Sequence, residues 1–206
     1  MTGQHRDQSG PRLVISVGTD MHPFDRLVAW SEALAEQHPG LRIMVQHGAS
    51  RAPQGGIESV QATDRDTLLR WYDGADVVIT QGGPGSILDA RAVGVIPLVV
   101  PRDPELGEHV DGHQLAFTPL MESEGNAVVV RDLDTLQELV AQRLAHPEVA
   151  RSEPREAHPE PATDALAQLV DRARSTPRRR GMLLRRTTSL LAPSQRTTHP
   201  ATGGNA

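Results

Sequence analysis

Three short groups of residues carry most of the polar chemistry in this chain. The first is Gly82-Gly83-Pro84-Gly85-Ser86, which follows the apolar run Val77-Val78-Ile79 and precedes a helix-like segment. A strand that ends in glycines and opens a helix presents free backbone N–H groups to an anion such as phosphate. The same residues also suit a tight strand-to-helix connection that needs glycine only for close packing, and the local sequence weighs the two readings evenly. The second group is Gly18-Thr19-Asp20, a small-residue turn after the β-rich run Arg12 to Val17. The third is the polar loop Arg102 to Gln114, which contains His109-Val110-Asp111-Gly112-His113.

Several chemistries are excluded or disfavoured. No Gly-Lys-Ser/Thr follows the glycine turn, so it is not a P-loop, and it lacks the GxGxxG spacing of a dinucleotide fingerprint. Ser86 does not sit in a GxSxG elbow, which disfavours a serine nucleophile. His109 and His113 are four apart, which would suit one helix face. A zinc-protease helix needs Glu after the first His, however, and Val110 stands there, while Gly112 weakens a helix. The expectation is therefore no metal and no cofactor, with a polar loop leading into a helix and Asp111 as its N-cap. Asp89 lies three residues past Ser86 on the following helix. A carboxylate there can take two ribose hydroxyls, or it can be an ordinary acid near a helix N-terminus.

The elements that must position these groups alternate. Strands are expected at Arg12–Val17, Leu41–Gln46, Ile57–Val60, Ala75–Thr80, Ile96–Val100 and Ala127–Val130. Helices are expected at His22–Gln37, Asp64–Asp73, from Pro84 to Gly94, Asp111–Glu122 and Asp132–Ala145. Continuously apolar strands alternating with helices predict an α/β fold, a Rossmann-like parallel sheet with helices on both faces. Ligands of such sheets sit at the carboxyl ends of the strands, where both glycine turns and the loop after Val100 fall. The expected organisation is a disordered 1–11, a domain over 12–146, a linker over 147–162, a helix over 163–174 and a disordered basic tail over 175–206.

The formal net charge of −5 conceals an asymmetry. Residues 172–206 hold eight arginines and no acid, whereas the first 171 residues hold 13 arginines against 26 acids, and lysine is absent. An acidic body disfavours nucleic acid, and the tail is free for anionic partners. Arg178-Arg179-Arg180 and Arg185-Arg186 flank Met182-Leu183-Leu184, a pattern suited to an anionic leaflet or to a solvated tail. Thr187, Thr188 and Ser189 beside them are hydroxyls whose phosphorylation would reduce the charge. Cysteine is absent, no run approaches the roughly 20 apolar residues of a membrane span, and the N-terminus lacks a signal-peptide core. A cytoplasmic protein is expected, peripheral at the inner face of the cell membrane if the tail binds there.

Three blocks resemble glycosyltransferase family 28, in its C-terminal, nucleotide-sugar-binding half. They are Val17-Gly18-Thr19 with Pro23-Phe24-Asp25-Arg26-Leu27-Val28; Ala75-Asp76-Val77-Val78-Ile79 with Gly83-Pro84-Gly85-Ser86-Ile87; and Val100-Pro101-Arg102 with Gly107-Glu108-His109-Val110-Asp111 and His113-Gln114. The blocks are similar to that half of the peptidoglycan N-acetylglucosamine transferase. They are closer to stand-alone versions, such as the catalytic subunit of the two-part dolichol-linked transferase and exopolysaccharide counterparts. The resemblance implies one half of a GT-B enzyme using a UDP-sugar donor, completed by a membrane-attached acceptor-binding subunit. It implies that Gly18 and Thr19 lie near the diphosphate and sugar, and that Gly83, Gly85 and Ser86 hold the diphosphate. Asp89 would take the ribose, His113 and Gln114 the sugar hydroxyls, and Glu108 would order that loop. Uracil would lie near Thr63 to Asp66. The catalytic group is not fixed, with Thr19 and His109 as candidates, and Gln81 stands where many relatives carry His. A non-catalytic scaffold that keeps the fold is the alternative, and a nucleotide-sugar epimerase is weaker because it needs two domains.

Overall fold

The computed structural model describes residues 12–155. The expected disordered ends, the helix over 163–174 and the arginine-rich tail lie outside the described residues. Within them, the strands are β1 (Leu13–Ser16), β2 (Ile43–Gln46), β3 (Glu58–Val60), β4 (Val77–Gln81), β5 (Leu98–Val100) and β6 (Val128–Val129). The helices are α1 (Asp25–Gln37), α2 (Arg65–Gly74), α3 (Pro84–Ala92), α4 (His113–Ser123) and α5 (Leu133–Ala145). All strand pairs are parallel, in the order β3-β2-β1-β4-β5-β6. This is the doubly wound arrangement that the alternation predicts.

The strands are apolar throughout because both faces are covered. Leu13, Ile15, Val77, Ile79, Leu98 and Val100 point to one side, against Leu27 and Leu34 of α1 and Leu136 and Val140 of α5. Their neighbours Val14 and Val78 point to the other side, against Tyr72 of α2 and Ala90 of α3. Val99 joins them there with Ile87, Phe117 and Met121 of α3 and α4. The period of two is hidden in the sequence because each alternate position is equally apolar.

Several boundaries differ from expectation. Pro97 has no N–H for the ladder, so β5 begins at Leu98 rather than Ile96. The helix expected from Asp111 begins at His113, with Gly112 and not Asp111 at the N-cap. Asp111 instead folds its carboxylate back to accept the His113 N–H at 3.1 Å. A short 3₁₀ turn, Pro104–Leu106, was not expected, and neither was a second one, Pro147–Ala150. The segment read as the start of a linker is packed against the domain over residues 147–155. Ser152 N–H donates to Gly94 O, and the Arg151 guanidinium reaches Asp73 O at 2.7 Å. Composition marked the prolines and charges but could not register these backbone partners.

The loop after β2 is tied to α1 by Arg51, whose guanidinium pairs both oxygens of Glu32 at 2.6 and 2.7 Å. That pairing, with the Gln54 N–H, holds the Glu32 carboxyl down to about 2 from the usual 4.5. Because the folded pKa is the lower one, the pair's contribution is present above pH 4.5 and disappears as pH falls through about 2. Both side chains are partly exposed, so the gain is modest. Glu32→Gln should cost no more than about 1 kcal/mol near pH 7. The gap between the variant and the parent should close in acid, which urea midpoints at several pH values would measure.

Candidate functional site

β1 and β4 are neighbours, but the chain leaves β1 toward β2 and leaves β4 toward β5. At such a switch point the loops part and leave a crevice outside the strand ends. A cavity of about 320 Å³ lies there, lined from one side by Gly18 and Thr19 and from the other by Gln81, Gly85, Ser86 and Asp89, with Gln46, Thr63, Arg65 and Leu68 completing the wall.

Each wall is held from beneath. Gly18 has φ +82°, a conformation that side chains rarely adopt. Buried Gln46 grips it from both ends. Its Oε1 accepts from Gly18 N–H at 3.1 Å, and its Nε2 donates to Gly18 O at 3.0 Å and to Gln61 O at 2.9 Å. On the opposite wall, Pro84 is the first residue of α3, and its Gly83 N-cap has no side chain to cap the helix. Gln81 supplies the partner: its Oε1 accepts from Gly83 N–H at 2.6 Å and its Nε2 donates to Ser86 Oγ at 3.1 Å. The amide thus stands where an anion's oxygen would meet the helix. A Cβ on Gly83 would collide with that amide, whereas one on Gly85 would meet nothing within 4 Å. Asp89 receives two bonds from Arg65 on one carboxylate oxygen, at 2.8 and 2.7 Å.

The loop after β5 closes on the turn after β1. Arg102 is fully buried, and its guanidinium donates to Val17 O, His22 O and Glu108 O at 2.8, 2.7 and 2.8 Å while lying over the Phe24 ring. Burial pushes its pKa down, against the opposing pull of Asp20 and Glu108. Glu108 accepts a two-pronged bond from Arg26, both distances 2.8 Å, and the Asp103 N–H at 2.9 Å. Gln114 Oε1 accepts from both Gly82 N–H at 2.9 Å and Arg102 N–H at 3.0 Å, joining the glycine turn to this loop.

Beside the loop runs a chain of alternating imidazoles and carboxylates. His22 Nδ1 lies 2.7 Å from Asp20, whose second oxygen is 3.3 Å from His109 Nε2. His109 Nδ1 is 3.5 Å from Asp111, which is 2.5 Å from His113 Nδ1. Burial raises the Asp20 carboxyl, but the His22 backbone and ring, with the His109 and Arg102 charges, bring it below its usual value. Asp111 is lowered chiefly by the His113 N–H and ring.

Of the residues singled out from sequence, Gly18, Thr19, Gly85, Ser86 and Asp89 share the cavity. Gly83 underlies it. Glu108, His109, His113 and Gln114 form the adjoining loop and do not line it. Gln114 is buried, with its carbonyl committed to two backbone donors. The sequence reading missed the roles of Gln46, Arg65 and Arg102 and saw Gln81 only as a departure. Gln46 and Gln81 had a signal: each is a polar residue closing an apolar strand, where a side chain can turn back on the next loop.

The model of the glycosyltransferase family 28 C-terminal domain matches residues 12–169. A curated relative from Burkholderia cenocepacia is a UDP-N-acetylglucosamine--N-acetylmuramyl-(pentapeptide) pyrophosphoryl-undecaprenol N-acetylglucosamine transferase. It is 27% identical over 195 residues, covering 82% of this chain and 50% of the relative. The protein of the same description from Cupriavidus necator is 25% identical, covering 69% of this chain and 41% of its own. The chain thus spans about half the length of the curated relatives it matches. Among solved structures, MurG of Acinetobacter baumannii superimposes with a TM-score of 0.52 at 21% identity, over 79% of this chain and 52% of that one. CalG4, the calicheamicin glycosyltransferase, does so with a TM-score of 0.52 at 18% identity, over 85% and 45%. These likenesses show the fold, that of one half of a GT-B glycosyltransferase. With the family model running through both glycine turns and the loop after β5, the chain belongs to glycosyltransferase family 28, as its C-terminal domain.

Proposed function

We propose that this chain is the donor-binding half of a UDP-sugar-dependent hexosyltransferase, passing a hexose or N-acetylhexosamine to a lipid-linked or polysaccharide acceptor. The observation that carries the reading is the cavity at the switch point, where Gly18, Thr19, Gly85, Ser86 and Asp89 converge. The diphosphate lies on the α3 N-terminus, taking over the Gly83 N–H and the Ser86 hydroxyl from the Gln81 amide. Backbone donors aimed at the leaving diphosphate stabilise the charge that grows on it during transfer. Asp89 holds the ribose with its second oxygen, and the segment Thr63 to Asp66 meets the uracil. Thr19 is exposed at the cavity mouth and His109 is held between two carboxylates, so each can reach an acceptor hydroxyl only if the opposite wall brings it there.

That wall belongs to a separate acceptor-binding subunit, membrane-attached, in a cytoplasmic complex. Among the described residues no helix is long and apolar enough to cross a membrane. The eight arginines of residues 172–206 help hold the chain on an anionic surface.

Calorimetric titration of the purified protein with UDP is the test. Asp89 is half-buried and its partner Arg65 is largely exposed, so Asp89→Ala should lower stability by no more than about 1 kcal/mol. It should weaken UDP by about tenfold or more through loss of a charged hydrogen-bond acceptor. Equal affinity in parent and variant, or no UDP binding in either, would remove the reading.

A further inference from the structure

His109 and His113 are four residues apart, yet, as Val110 and Gly112 lead one to expect, they do not share a helix face. His109 lies in the loop, Asp111 folds back, and His113 opens α4. The three therefore converge, with one donor atom from each within 4.8 Å of the others. Four-coordinate zinc with bonds of 2.0 to 2.2 Å places its ligand atoms about 3.4 Å apart. The separation of His109 Nδ1 from Asp111 Oδ1 is 3.5 Å, close to that spacing, whereas His113 Nδ1 is hydrogen-bonded to the same oxygen at 2.5 Å and would have to part from it by about 1 Å as a cation replaces the shared proton.

A second feature points the same way. His109 Nε2 faces Asp20 at 3.3 Å, while its Nδ1 accepts the Asp111 N–H in a long bond of 3.3 Å. The imidazole thus has a carboxylate beside Nε2, and its Nδ1 acts as an acceptor on the side of Asp111, held there only by that one long bond. A carboxylate behind the far nitrogen is how ligating histidines are oriented and made more basic. Asp20 is itself fixed by the His22 N–H at 2.8 Å and the His22 ring at 2.7 Å. The loop that carries His109 is pinned by Arg102 and Glu108.

We infer that His109, Asp111 and His113 form a three-ligand site for a divalent cation of the zinc class, with Asp20 as the residue that orients His109. Two imidazoles and one carboxylate suit Zn²⁺ and, by their softness, Co²⁺ better than Mg²⁺ or Ca²⁺. Three protein ligands leave one coordination position for water or another oxygen. None of the three residues lines the cavity, so cation binding can be read without UDP, although a bound cation would occupy the His109 ring that is also a candidate for meeting the acceptor.

The experiment is titration of the full chain with Zn²⁺ by calorimetry and with Co²⁺ by visible absorption. One strong site per chain is expected. Asp111 and His113 are partly exposed, so His113→Ala and Asp111→Asn should fold as the parent does and weaken binding at least about tenfold. Asp20→Asn should weaken it about 10–100-fold without removing a ligand. Asp89→Ala should bind the metal as the parent does. No metal binding by the parent overturns the inference. Binding that survives in both His113→Ala and Asp111→Asn overturns it too, because the metal then sits on other histidines.

Discussion

Arg102→Met should cost about 3 kcal/mol or more of folding stability, a large share of the 5–15 kcal/mol typical of a domain. Two effects oppose each other. Burying a guanidinium is costly in itself, and its lowered pKa records that cost. An apolar side chain of similar length would relieve it and keep the packing on Phe24. The substitution would, however, strand three carbonyls, those of Val17, His22 and Glu108, with no donor in their place. Each charged hydrogen bond of this kind contributes about 1.5–3 kcal/mol, so the loss of three outweighs the relief. Arg102→Lys should recover only part, because a point charge cannot span three divergent acceptors or lie flat on the ring. Urea unfolding and thermal melting would read the result, and a Met variant within about 1 kcal/mol of the parent would refute the clamp. Where the variant still folds, UDP affinity should fall as well, since the clamp starts at the turn that carries Gly18.

The clamp also marks where sequence reading stopped. Val77-Val78-Ile79 and Leu13-Val14-Ile15 announce buried strands because every position is apolar, and the helices between them force a parallel order. Nothing local announces that Arg102 reaches back 85 residues to Val17 O. An arginine after a Val-Pro pair reads as a solvated loop residue until the sheet places β1 beside β4 and β5. The cavity lining was more legible. Gly18, Gly85 and Ser86 sit at strand ends and at a helix start, and those positions follow from the element order alone. The helix after the His109–Asp111–His113 loop starts two residues later than expected, at His113, with the Asp111 carboxylate accepting the His113 N–H, and residue spacing alone could not show that the three side chains meet. Pro147–Ala150 shows the same limit, since its composition suits a linker while its backbone bonds to the domain.

Gly85→Asp should abolish UDP binding, by about 100-fold or more, while leaving the fold as stable as before or slightly more so. Gly85 is exposed in the first turn of α3, and a Cβ there meets nothing within 4 Å. Replacing glycine in a helix gains up to about 1 kcal/mol, and an acid near a helix N-terminus gains about 0.3–1 kcal/mol from the dipole. Both effects favour the folded variant. For a bound diphosphate the sign reverses. The new carboxylate would take the same positive helix end and stand against the phosphates in a site with few counter-charges, where like charges repel strongly. A 100-fold loss is about 2.7 kcal/mol, within reach of one such close pair. Gly85→Ala separates charge from bulk: it should share the gain in stability and keep most of the affinity. Melting temperature and UDP titration, measured on the parent and both variants, give the pattern. If Gly85→Asp melts as expected yet binds UDP within threefold of the parent, the anion does not rest on α3. The donor would then have to lie elsewhere along the carboxyl edge of the sheet.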